Sequence, residues 1–144
     1  MDQFRTDRAR YPMHRAHVKS ARNRVRQVAM EWGLALSVVA DLALLASELV
    51  TNALLHSHPA RGREFGVTLV LSPDCVRLEV RDAGSGVPEM RGATGEDQTG
   101  RGLLLVGALS DRWGHITQVV GKTVYAEIDL KQATPARSSP VARV

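Results

Sequence analysis

Several things are scarce in this chain, and each scarcity removes a class of protein. A single cysteine, Cys75, excludes an internal disulfide and any cysteine-rich metal cluster, which fits a reducing compartment. Aromatic residues make up only 4% of the sequence, so leucine, valine and alanine must fill any core. The first residues, Met1-Asp2-Gln3-Phe4-Arg5, carry no apolar stretch of signal-peptide length, and no run reads as long enough to span a bilayer. The expected location is therefore the cytoplasm. A serine nucleophile elbow, a metalloprotease motif and a paired-cysteine zinc motif are all missing. So is a complete dinucleotide-binding fingerprint, because Leu105 occupies the third glycine position after Gly100-Arg101-Gly102. Gly121-Lys122-Thr123 is spelled like the end of a P-loop, but Ile116 stands where its first glycine is required. There is no internal repeat.

What is present suits one domain: 144 residues, 44% of them hydrophobic, with a formal charge of +4. The charge is uneven. Residues 1–26 hold eight Arg and Lys against two acids, whereas residues 27–130 hold eight against thirteen. A basic N-terminus can steer an acidic partner or nucleic acid. Against nucleic acid stands the lack of an aromatic platform or zinc-finger spacing. Val18, Ala21, Val25, Val28 and Trp32 also recur at helical spacing, which turns the Arg and Lys of that segment outward as a solvated face.

Along the chain, residues 1–15 have no firm period and contain Pro12; they read as an N-terminal extension with a short strand near Phe4 and then a loop. A helix is expected from His17 to Trp32, closed by Gly33, and a second, nearly all-apolar helix from Val38 to Leu55 with Ser37 as its N-cap. Phe65, Val67, Leu69 and Leu71 alternate as a strand, and Val76, Leu78 and Val80 alternate inward against Arg77, Glu79 and Arg81 outward in the next. Residues 83–99 are too long for a hairpin turn and read as a functional loop. A third helix is expected from Gly100 to Leu109. Two strands follow, Ile116–Val120 and Thr123–Leu130, about a two-residue turn at Gly121-Lys122. Residues 132–144 read as a disordered tail, leaving residues 16–131 as the domain. This order predicts a two-layer α/β sandwich: a mixed, mostly antiparallel sheet with helices on one face.

Three motifs carry chemistry. Glu48, Asn52 and His56 are spaced by four, so they share one stripe of the second helix. Such a stripe is either an internal hydrogen-bond network or a functional pair, with Asn52 holding a magnesium ion on phosphates and Glu48 accepting a proton from an attacking hydroxyl or water. His56 reads as a loop-capping residue, and His58 as a loop residue. Counting by two from Val76 puts Asp82 on the inward face, where its carboxylate needs a donor. An adenine amino group is one candidate; a plain turn at the strand end is the alternative. Gly84 and Gly86 would let backbone approach a flat ligand. Gly100 and Gly102 open a helix whose free N–H groups suit phosphate, though glycines there also serve simple chain reversal.

Taken together, Glu48-Leu49-Val50-Thr51-Asn52-Ala53, Asp82-Ala83-Gly84-Ser85-Gly86 and Gly100-Arg101-Gly102-Leu103 resemble the N box and the two glycine boxes of the GHKL superfamily of ATP-binding domains, in the same order. The chain's size and its ending, Trp113-Gly114 followed by Gly121-Lys122-Thr123-Val124-Tyr125, look like the anti-sigma factor serine/threonine kinases and their actinobacterial relatives. The resemblance implies the Bergerat ATP-binding fold, with a lid over about residues 89–99. It implies that Asp82 reads adenine, with Gly84 and Gly86 shaping the pocket and Thr123 assisting. It also places Asn52 on magnesium and Gly100, Arg101, Gly102 and Leu103 near the phosphates, with Glu48 as the base that activates a serine or threonine of a partner. That partner would be an anti-sigma factor antagonist, competing with a sigma factor for the kinase, and the family suggests a homodimer. A phosphoacceptor-histidine helix is not expected.

Overall fold

The computed structural model describes residues 4–56, 63–82, 104–117 and 121–130. Five strands and two long helices follow the order β1 (Arg5–Pro12), α1 (His17–Glu31), α2 (Leu36–His56), β2 (Glu64–Leu71), β3 (Cys75–Asp82), β4 (Arg112–Thr117) and β5 (Lys122–Asp129). Residues 104–109, before β4, form a short helix, α3. The strands make one sheet in the order β1-β2-β3-β5-β4, and among the described residues every pairing is antiparallel, where a mixed, mostly antiparallel sheet was expected.

The alternation in β2 and β3 does what the sequence pattern asks. Phe65, Val67 and Leu69 and, opposite them, Val80, Leu78 and Val76 are buried on one side of the sheet, with Val124, Ala126 and Ile128 of β5 beside them. Helices α1 and α2 cover that side with Ala21, Val25, Val28 and Ala29 from the first and Leu42, Leu45, Ala46, Leu49, Val50 and Ala53 from the second, and Val106 of α3 joins the same cluster. The result is a two-layer sandwich whose other sheet face carries no described element.

Helix α1 ends as Gly33 predicts. Gly33 sits at φ 78, its N–H donates to Met30 O (3.0 Å), and Leu34 N donates to Ala29 O (3.2 Å). This is a Schellman ending, which requires a left-handed residue just past the helix. The start of α2 differs from expectation. The helix begins at Leu36, and the Ala35 carbonyl accepts from both Val38 N and Val39 N (2.9 Å each), so Ser37 lies inside the first turn and is not the N-cap.

Helix α2 also corrects the expectation that no run is long enough to cross a bilayer: Leu36–Leu55 is, by length and apolar content. The stretch carries Asp41, Glu48 and Asn52, and its buried stripe faces the sheet and α1. An apolar helix packed this way is the central core helix of the fold.

Two further elements fall elsewhere than expected. The segment read as a short strand near Phe4 and a loop holds β1, paired residue for residue with β2 from Arg5↔Leu71 to Pro12↔Glu64. Tyr11 stacks on Phe65 at 5.3 Å, and Arg24 of α1 donates to both Asp7 oxygens at 2.7 and 2.8 Å. Strand β4 runs over Arg112–Thr117, earlier than Ile116–Val120, and Lys122 is already in β5 opposite Thr117. Lys122 thus belongs to the strand and not to a two-residue turn, Gly121 before it sits at φ 82, and residues 118–120 lie outside the described residues.

The candidate nucleotide-binding site

Asp82 ends β3 on the helix-covered side, continuing the Val76, Leu78, Val80 series, and is only 8% exposed. Its register neighbours are Phe65 on β2 and Lys122 on β5. The inward count from the sequence is therefore correct. A carboxylate this enclosed is tolerated only with donors around it.

On α2, Glu48 and Asn52 are both half-buried, while Leu49, Val50 and Ala53 between and beyond them are sealed in the core. Arg22 of α1 reaches Ser47 Oγ at 3.5 Å, which marks the α1 side of α2. At 3.6 residues per turn Glu48 and Asn52 lie roughly 100° and 140° round the helix from Ser47, on the flank turned away from α1. Because α2 packs across β3 and β5, this polar flank and the Asp82 end of β3 share one side of the sheet. His56 closes α2 by backbone.

Thr123 is buried at 7% exposure, but register puts it opposite Arg81, whereas Asp82 stands opposite Lys122. Adjacent strand positions point to opposite faces, so Thr123 faces the side of the sheet away from Asp82. Gly84, Gly86, Gly100, Arg101, Gly102, Leu103, His58 and the lid over residues 89–99 lie outside the described residues. So does the side chain of His56.

The donor set suits a nucleotide with its magnesium. That ion keeps several waters and takes its remaining ligands largely from phosphate oxygens, so one half-buried amide at Asn52 is an adequate protein contribution. Among the described residues no three His, Cys, Asp or Glu side chains form a separate metal cage. A buried carboxylate at the end of a strand can in turn accept from an exocyclic amine, for which a guanine carbonyl is no substitute.

The histidine kinase-like ATPase domain family matches the chain over residues 11–128. The chain belongs to that family. With it come the GHKL superfamily and an ATP-binding, kinase-like domain. No curated protein matches. Among solved structures, the RsbU and RsbW domains of Rv1364c from Mycobacterium tuberculosis superpose with a TM-score of 0.64 at 20% identity, covering 86% of this chain and 32% of that one. The histidine kinase domain of a blue-light activated histidine kinase from Erythrobacter litoralis gives 0.50 at 23% identity, covering 86% of this chain and 64% of that one. The chain thus spans about a third of the first neighbour and under two-thirds of the second, and at these identities the likeness is one of fold.

Sequence reading did not find the charged lattice on the sheet face opposite α1 and α2. Arg77 Nε donates to Glu79 Oε2 (2.7 Å) and its Nη1 to Glu127 Oε2 (2.8 Å), while Arg112 Nε donates to Glu127 Oε1 (2.7 Å) and both its Nη atoms reach Asp129. The Arg77 guanidinium also lies 3.9 Å from the centre of the Tyr125 ring, a cation–π contact. Hydrogen bonds from Arg112 and then Arg77 hold the Glu127 carboxyl below the usual carboxylate range. The alternation of Arg77, Glu79 and Arg81 signals an outward face, but only the β3–β5–β4 register brings residues 50 positions apart together.

Proposed function

We propose that this chain is an ATP-dependent protein serine/threonine kinase of the anti-sigma factor type, transferring the γ-phosphoryl group of ATP to a hydroxyl of an anti-sigma factor antagonist and controlling transcription by holding a sigma factor. The observation that carries the nucleotide half of this reading is the buried Asp82 carboxylate at the end of β3, on the same side of the sheet as the Glu48 and Asn52 flank of α2. Supporting the regulatory half are the family membership and a fold shared with a structure that contains an RsbW domain.

In this reading Asp82 accepts a hydrogen bond from the adenine amine and so selects ATP over GTP. Asn52 offers its amide oxygen as the protein ligand to magnesium, which when bound offsets charge on the phosphate oxygens. Glu48 takes the proton of the acceptor hydroxyl as that oxygen bonds to phosphorus and the bridge to the leaving ADP breaks. Gly100, Arg101, Gly102 and Leu103 are proposed to approach the phosphates and Gly84 and Gly86 to shape the adenine pocket, whereas Thr123, on the other face of the sheet from Asp82, is left out of it. The protein would work in the cytoplasm, as a homodimer by family resemblance.

Calorimetric titration with magnesium–ATP, with GTP as control, tests the site. The wild type is expected to bind ATP selectively, and Asp82→Asn to lose about 100-fold in affinity, because a buried acceptor becomes a mismatched amide. Affinity within a few-fold of wild type would remove Asp82 from adenine recognition. Glu48→Ala should keep ATP affinity and lose transfer to the antagonist; unchanged transfer would take away its role as base. Binding without transfer in the wild type would instead describe a nucleotide-dependent module that sequesters its partner.

A further inference from the structure

The face of the sheet opposite α1 and α2 is divided in two by charge. Toward β4 it is neutralised: the carboxylates of Glu79, Glu127 and Asp129 are each held by Arg77 or Arg112. Toward β1 it is not. Arg8 and Arg10 on β1 and Arg81 at the end of β3 stand on this same face, since Arg8 pairs with Thr68, Arg10 with Gly66, and Gly66 with Arg81 in register. Among the described residues Arg8 and Arg81 have no acidic partner, and Arg10 has only a loose contact to Glu64 at 3.8 Å with its own side chain 80% exposed.

These arginines surround a hollow. Gly66, with no side chain, lies in its wall, and the resulting groove of about 350 Å³ is lined by all three arginines, by Thr68 and Thr123, and by Glu79, whose carboxylate is held by Arg77 at 2.7 Å. That volume sits at the small end of the range for ligand sites. With Arg8, Arg10 and Arg81 set against one carboxylate that Arg77 already engages, the groove keeps an excess of positive charge, and a concave surface focuses that field on the opposite sign.

We propose that this groove is a docking surface for an acidic segment of a partner protein. Charge complementarity selects that occupant. Guanidinium groups present forked donors that match carboxylates. A nucleic acid would want an aromatic platform on which to stack, and the nearby ring of Tyr125 is already covered by Arg77. A second copy offering the same patch would set arginine against arginine. The surface lies on the opposite side of the sheet from Glu48, Asn52 and Asp82, so it stands independently of the nucleotide assignment.

The test is fluorescence anisotropy of a labelled octapeptide of alternating Glu and Asp against the full chain, at low salt and at about 0.15 M salt. Two variants remove equal charge: Arg8→Ser/Arg10→Ser/Arg81→Ser at the groove, and Arg15→Ser/Lys19→Ser/Arg26→Ser at exposed positions before and along α1. The groove variant is expected to bind at least about tenfold more weakly than wild type and the α1 variant within about twofold. Equal losses in both would mean general charge attraction and would overturn the proposal. So would no loss at the groove, or a DNA duplex that outcompetes the peptide in a groove-dependent manner. Circular dichroism checks folding; if the triple variant is unfolded, the single exposed changes Arg8→Glu and Lys19→Glu are compared instead, with the same two readings.

Discussion

At the scale of single residues, the decisive distinction is between carboxylates that are enclosed and carboxylates that are paired. Asp82 is enclosed, and its position follows from counting by two along β3, so it was legible before any coordinates. Glu127 is paired, and nothing local announces it: its partners Arg77 and Arg112 come from two other strands. Its carboxyl is held down by Arg112 and then Arg77, so the unfolded chain takes up this proton before the folded chain does. The stabilisation is therefore complete above the ordinary value of 4.5 and is lost as the pH falls through the lower folded value. Glu127→Gln is expected to cost about 1 kcal/mol at neutral pH, where a network of ion pairs is broken. In urea titrations at about pH 7 and about pH 3, the gap between variant and wild type should narrow at the lower pH. A gap that stays constant would mean that the loss comes from packing and not from charge.

Among the elements, α1, β2 and β3 were readable from their periodicity, whereas the first turn of α2 and the position of β4 were not. Helix α1 was placed within a residue because its apolar spacing and Gly33 are written in the sequence. Gly33 also offers a clean measurement: a Cβ there meets nothing within 4 Å, so Gly33→Ala introduces backbone strain at φ 78 and no clash. About 1 kcal/mol should be lost in chemical denaturation, with Gly33→Asn losing less because asparagine tolerates the left-handed region. An alanine variant as stable as wild type would show that the turn can relax. Strand β4 was misplaced because its register is set from across the sheet. The Tyr125 ring lies over Gly114, where a Cβ would stand 2.8 Å from the phenol oxygen, and Arg112 is drawn to Glu127 and Asp129. Neither contact leaves a periodic trace in residues 112–117.

For the whole molecule, the least legible element is β1. Its sequence alternates Thr6, Arg8 and Arg10 on one face with Asp7, Ala9 and Tyr11 on the other, and ends in Pro12, so it lacks the β-branched apolar stripe that announced β2 and β3. Arginines and a terminal proline are what an edge strand uses to discourage unwanted pairing, and that same defence hides it from pattern reading. What holds β1 in place is tertiary: the ladder to β2, the stack of Tyr11 on Phe65, and the Asp7–Arg24 pair to α1. Phe65 is fully buried, and Tyr11 lies against its ring. Removing residues 1–12 should therefore uncover Phe65 and leave β2 as a new, more apolar edge. The expected loss is about 3 kcal/mol, the order of one large aromatic side chain re-exposed together with a broken ion pair. Equilibrium urea unfolding followed by the fluorescence of Trp32 and Trp113 measures it, and concentration-dependent aggregation of the truncated chain should accompany the loss. A truncated protein that unfolds at the wild-type midpoint would show that the four remaining strands and their helices are already a complete folding unit, with β1 merely resting on it.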